Sequence, residues 1–142
     1  MSDIPRLLRE QVIKRAWNRC EYCLLSQIGQ EATFHIDHVN PRAHNGLTTL
    51  DNLALACVSC SLRKSAKISA TDPENGLEVQ LYHPRSQLWS EHFQWKGALV
   101  IPLTTIGRAT VAALALNRSI MLEIRREELT RGRHPPPVIH PK

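Results

Sequence analysis

Apolar residues recur at two different periods along this chain of 142 residues. Over residues 3–18, Leu8, Val12, Ile13, Ala16 and Trp17 fall at spacings of three and four, which predicts an amphipathic helix. Ser2 stands where an N-cap would, and Pro5 falls in the first turn, where an absent N–H costs nothing. EATFHIDHV, residues 31–39, alternates polar and β-type residues and predicts a strand that stops at Pro41. Pro41 and Asn45-Gly46 mark the loop PRAHNGLTTLD, after which NLALAC predicts a second short strand and VSCSLRKSAKI a short helix.

Beyond Ala70 the cluster TDPENG is a turn, and LEVQLYHP and ALVIPL are expected strands on either side of the polar, Trp-containing piece RSQLWSEHFQWKG. From Gly107 to Leu129, Val111, Leu114, Met121, Ile124 and Leu129 predict one long helix or two consecutive ones. The Pro-rich end, GRHPPPVIHPK, is expected to be extended or disordered. No internal repeat is present.

With 42% hydrophobic residues and only 5% aromatic, the chain suits one small domain whose core needs reinforcement. The net charge of +5 makes a polyanion a plausible partner. Both ends are basic, whereas residues 68–95 hold one Arg against four acids, so that middle stretch is not the surface for a phosphate backbone. The start carries charge throughout and no window reaches the roughly 18 apolar residues of a membrane span, so a soluble, cytoplasmic protein with no membrane partner is expected. In a reducing compartment, four cysteines in two close pairs call for a metal ion in preference to disulfides.

Cys20-x-x-Cys23 and Cys57-x-x-Cys60 can each offer two thiolates to one tetrahedral ion, the donor set of a structural zinc site. Four thiolates fill the coordination sphere, so a Zn²⁺ held there would stabilise the chain without taking part in chemistry. The gap from Cys23 to Cys57 exceeds that of a plain zinc ribbon. Something is inserted between the pairs.

The quoted pieces CEYC, HIDHVNP, LDNLALACVSC and SLRK, in that order over residues 20–64, resemble the HNH endonuclease family with its ββα-metal fold. The continuation, HPRSQLWSEHFQW to GRATVAALALNR, resembles an extension found on small members of that family. The resemblance implies an α+β fold with residues 1–70 as the zinc-stapled ββα core and N-terminal helix, 71–132 as a strand and helix extension packed on it, and 133–142 as a flexible tail. It also implies metal-dependent hydrolysis of DNA phosphodiesters, with Mg²⁺ or another divalent cation such as Mn²⁺ or Ni²⁺ on the scissile phosphate.

In the family register His38 matches the general base, a role suited to an imidazole that is neutral at physiological pH. Asp37 precedes it on the strand, faces the other way, and would hold the cation. Asn52 matches the residue that orients the catalytic histidine or its loop; by itself it reads as a turn residue or a cap after Asp51, and the family register is what gives it the functional role. His35 shares a strand face with Asp37 and is either an additional ligand or a structural histidine. Where relatives commonly carry His or Asn as a ligand, this chain has Ser61, a shorter and poorer donor. That departure leaves three outcomes: a weaker active site, replacement by His35 or His44, or a site that binds DNA without cutting it.

Arg63, Lys64 and Lys67 follow the second cysteine pair, with Arg63 and Lys67 four apart and so expected on one helix face to grip phosphates. Arg42 is a similar candidate, and Arg118 and Arg125, seven apart, form a weaker one. His83 and His92 lack ligand spacing and are expected to be structural, His134 and His140 fall in the flexible tail, and Trp89 and Trp95 are expected in or beside the core. The partner is therefore expected to be DNA, with the protein a monomer or a homodimer. Rival readings are a catalytically inert zinc-containing nucleic-acid-binding module and a four-cysteine scaffold for protein partners.

Overall fold

The computed structural model describes residues 4–137, so Ser2 and His140 lie outside the described residues. The chain divides into two compact units: residues up to Ile68 with His83–Arg85, and Ser69–Tyr82 with the residues from Ser86 onward. The architecture is α+β, built on three separate two-stranded antiparallel sheets. No helix among the described residues is long and apolar enough to cross a membrane.

In the first unit, helix α1 runs over Arg6–Arg15. It is shorter than its apolar period predicts because Trp17 and Asn18 turn left-handed, at φ 56° and 58°, and break the helix. Val12 is fully buried, and Arg15 donates to the carbonyls of Leu50 and Leu53 at 2.8 and 2.7 Å. Those bonds fix the helix on the strand that begins at Leu53.

Strand β1 (His35–His38) pairs with β2 (Leu53–Ala56), His35 lying opposite Ala56 and His38 opposite Leu53. Residues 31–34 do not extend β1, and the Phe34 amide is taken by the Gln27 side chain at 2.7 Å. Every residue of β2 is buried, because α1 packs against it and helix α2 (Val58–Lys64) packs on both strands. Burying Leu53 and Leu55 contributes about 1.5–3 kcal/mol each. The order β1, β2, α2 is the ββα arrangement expected over this region.

The second unit opens with a hairpin of β3 (Ser69–Thr71) and β4 (Glu78–Gln80). Ser-Ala-Thr has no apolar alternation and is not legible as a strand; the turn makes it one. Gly76, at φ 75°, donates to the Asp72 carbonyl, and the Asp72 amide donates to the Leu77 carbonyl. The Asp72 side chain is fully buried and takes a bidentate bond from Arg108. After the short helix α3 (Trp89–His92), β5 (Phe93–Lys96) pairs with β6 (Leu99–Pro102), so the polar Trp-containing piece contributes a strand of its own.

Between Gly107 and Leu129 there are two helices, α4 (Thr105–Ala113) and α5 (Ser119–Thr130), parted where Ala115 turns left-handed at φ 48°. Arg125 is not part of a surface stripe. It is 1% exposed, donates to the Ala98 carbonyl and lies 5.4 Å from the Trp95 ring centre. Trp89 and Trp95 are half-buried and stack on one another. At the head of the segment expected to be flexible, Arg133 binds Glu128, and His134 is buried against Trp95 with Nε2 2.8 Å from the Gly97 carbonyl.

Candidate functional site

The four cysteines are brought together from two local turns. Residues 20–25 fold back on themselves through Cys20 N–H to the Leu25 carbonyl and Leu24 N–H to the Cys20 carbonyl, with Leu24 left-handed at φ 63°. Cys57 caps α2 and its sulfur accepts the Cys60 amide, as the Cys20 sulfur accepts the Cys23 amide. All four sulfurs are buried, unbridged and within 4.8 Å of one another.

The spacing suits one ion. Sulfurs at 2.3 Å from a tetrahedral zinc are about 3.8 Å apart, and Cys23 Sγ and Cys57 Sγ are 3.7 Å apart. Hydrogen bonds from Cys20, Cys23 and Cys60 hold the Cys57 thiol far below its ordinary range, while Cys23 and Cys60 are pushed up. The cluster thus already favours a thiolate, and a zinc ion would release the remaining protons.

Next to this cluster, Asp37 is 9% exposed and does not stand free. Its carboxylate accepts the Tyr22 hydroxyl at 2.6 Å and pairs with the Lys64 ammonium at 3.2 Å. Burial pushes the Asp37 carboxyl up, and Lys64 and then Tyr22 work against that rise. Burial, and then the Asp37 charge, push the Tyr22 phenol well up.

Lys64 is accordingly not the phosphate-gripping residue expected. It is 2% exposed, because it lies on the face of α2 that meets β1, and its Nζ also donates to the His38 carbonyl at 3.1 Å. Arg63 remains exposed, but α2 ends at Lys64 and Ser65 leaves the helix at φ 50°, so Lys67 does not share a helix face with it. Lys67 instead folds back to donate to the Arg63 carbonyl.

His38 is half-buried, with Nε2 2.9 Å from Thr48 Oγ1. Among the described residues no hydrogen bond engages Nδ1. Burial, and then the positive charge of Arg42, hold the imidazole below its ordinary value, the Asp37 charge opposing them. His38 is therefore neutral at pH 7.

Among the described residues Asn52 makes no hydrogen bond to the His38 ring. Its side chain staples the loop after β1, accepting the Asn40 amide at 2.8 Å and donating to the carbonyls of Asn40 and Leu47. Gly46 completes the staple, since a Cβ there would sit 1.7 Å from the Asn40 carbonyl oxygen.

His35 is exposed and its Nδ1 lies 2.8 Å from Ser61 Oγ. His35, Asp37, His38, Arg42 and Ser61 line one open pocket of about 940 Å³. His44 is exposed at the end of the turn that begins with Arg42 and does not line the pocket. Sequence reasoning missed Tyr22, Thr48 and Arg9, the last a lining residue from α1. Tyr22 sits inside the quoted CEYC and was the one of the three with a local signal.

Beyond the four cysteines, no grouping of three His, Cys, Asp or Glu ligand atoms exists among the described residues. Asp37 is the pocket's one acidic side chain, and Lys64 neutralises it. Of the donors expected for a catalytic divalent cation, Asp37 is paired with Lys64 and Tyr22, and His35 Nδ1 lies 2.8 Å from Ser61 Oγ.

Residues 20–67 match the family model described as HNH endonuclease. No curated protein and no solved structure matches the chain.

Proposed function

From the HNH endonuclease match over residues 20–67, we propose that the chain is a nuclease of HNH type that hydrolyses phosphodiester bonds in DNA. The observation that supports this most is His38: a neutral imidazole with an unengaged Nδ1, lining a pocket beside Arg42. In this reading Nε2–H donates to Thr48, which leaves the Nδ1 lone pair to take a proton from water. The resulting hydroxide attacks phosphorus, the P–O bond to the leaving nucleotide breaks, and solvent protonates the departing oxygen. Asn52 and Gly46 hold the loop that carries Arg42, so they position the base and the phosphate contact without meeting the substrate.

Zn²⁺ on Cys20, Cys23, Cys57 and Cys60 has the structural role. Asp37, the carboxylate expected to hold a catalytic Mg²⁺, Mn²⁺ or Ni²⁺, is paired with Lys64, and no step above runs through such an ion. One site per chain implies nicking, and cutting of both strands would require a dimer or two encounters.

The Asp37–Lys64 pair and the serine at position 61 favour a second reading, an inert zinc-containing module that binds nucleic acid. Plasmid relaxation separates the two, assayed without added cation and with Mg²⁺, Mn²⁺ or Ni²⁺. The nuclease reading expects nicking that is lost in His38→Ala while DNA binding persists. Gel shift without nicking under every condition supports the module instead.

A further inference from the structure

The pocket carries a positive charge that the reaction outlined above does not use. Arg9, in the first half of α1, lines it together with His38 and Arg42. Its side chain is half-buried and has no hydrogen bond or ion pair among the described residues. That is unusual in this molecule. Of the arginines in the described residues, all but Arg9, Arg63 and Arg42, whose charge acts only on the His38 imidazole, have a hydrogen-bonding, ionic or electrostatic partner among the described residues.

An arginine that lines a pocket is ordinarily paired with a carboxylate or carbonyl of the protein. Among the described residues no carboxylate is paired with Arg9. Asp37 is taken by Lys64 and Tyr22, and Glu10, the next residue on α1, is turned to Arg6 at 3.7 Å. Arg9 and Arg42 therefore give the pocket two uncompensated positive charges, contributed by two elements far apart in sequence. No described residue supplies the counter-charge, which leaves room for an anion from outside the chain, and planar guanidinium groups match phosphate oxygens in pairs.

We infer that Arg9 binds a backbone phosphate of the nucleic acid, so that a strand entering the pocket is held from α1 as well as from the loop after β1. This rests on the nucleic-acid reading of the site and extends it to an element outside the matched residues. Such a contact is blind to sequence and releases counterions, so it is read from salt dependence.

The test is fluorescence anisotropy of a labelled DNA duplex with EDTA present, from 50 to 200 mM salt, on zinc-loaded wild type, Arg9→Ala and Arg6→Ala. Alanine is a strong helix former, so Arg9→Ala should fold, and circular dichroism with zinc content verifies it. One phosphate contact contributes about 0.9 to the slope of log K against log salt, so over this fourfold rise the wild type should lose about 3.5-fold more affinity than Arg9→Ala. Arg6→Ala, exposed and paired with Glu10, should keep the wild-type slope. A wild-type slope in Arg9→Ala, or an equal loss in Arg6→Ala, overturns the inference while the nuclease reading stands. A wild type with no salt-dependent DNA binding overturns both.

Discussion

Replacing Lys64 with methionine keeps most of the apolar stem and removes the ammonium. In the native chain that ammonium is 2% exposed and lies 3.2 Å from a carboxylate that is itself 9% exposed. At an effective dielectric near 20, two unit charges at that distance attract by about 5 kcal/mol. The variant loses this attraction and leaves the Asp37 charge buried with only the Tyr22 hydroxyl as partner. Breaking a buried pair on one side costs about 3–5 kcal/mol, and that is the expected loss at pH 7. Urea unfolding at fixed zinc concentration, followed by far-UV circular dichroism, measures it.

The pH dependence has a definite sign. Burial already holds the folded Asp37 carboxyl above its ordinary value, and without Lys64 it rises further. A folded pKa above the unfolded one means that the native state takes up the proton more readily. The penalty in Lys64→Met is therefore absent below the unfolded pKa and grows as pH rises through the folded one. Asp37→Asn combined with Lys64→Met removes the stranded charge and should recover most of the loss. A cost under about 1 kcal/mol at pH 7, or a double variant no more stable than Lys64→Met alone, would refute this account of the pair.

Three other outcomes are expected. Metal analysis should find about one zinc per chain, and stripping it should unfold the region around the four cysteines, since structural zinc contributes roughly 10–16 kcal/mol in small domains; a folded, metal-free Cys57→Ser variant would contradict the closed-site reading. The rate of nicking against pH should rise through an apparent pKa below the ordinary histidine value of about 6.5 and then level off, because burial and Arg42 disfavour the His38 imidazolium; an acid limb above that value would exclude His38 as the base. Gly46→Ala places a methyl group 1.7 Å from the Asn40 carbonyl, which should cost about 1–3 kcal/mol and speed hydrogen exchange at the Asn40 amide, and unchanged protection there would show that the loop is not clamped.

The chain's local spacings determined much of this protein. Two CxxC pairs sit where two sulfur turns form, HIDH and LALA pair as strands, and the segment after Cys57 coils into the helix that completes the ββα unit, because each depends on neighbours a few residues apart. Lys64 shows where that logic stops. Along the sequence it belongs with Arg63 and Lys67 as a basic run, but α2 turns about 100° per residue, and the face it presents to β1 is fixed only when helix and strands pack. The same packing commits Asp37 to Lys64 and Tyr22, closes Asn52 on the loop in place of the His38 ring, and carries Arg9 to the wall of a pocket whose other charged groups lie more than twenty residues away in sequence. Which charges are compensated and which are left for a ligand is a property of burial and distance between remote segments, and those exist only in the folded chain.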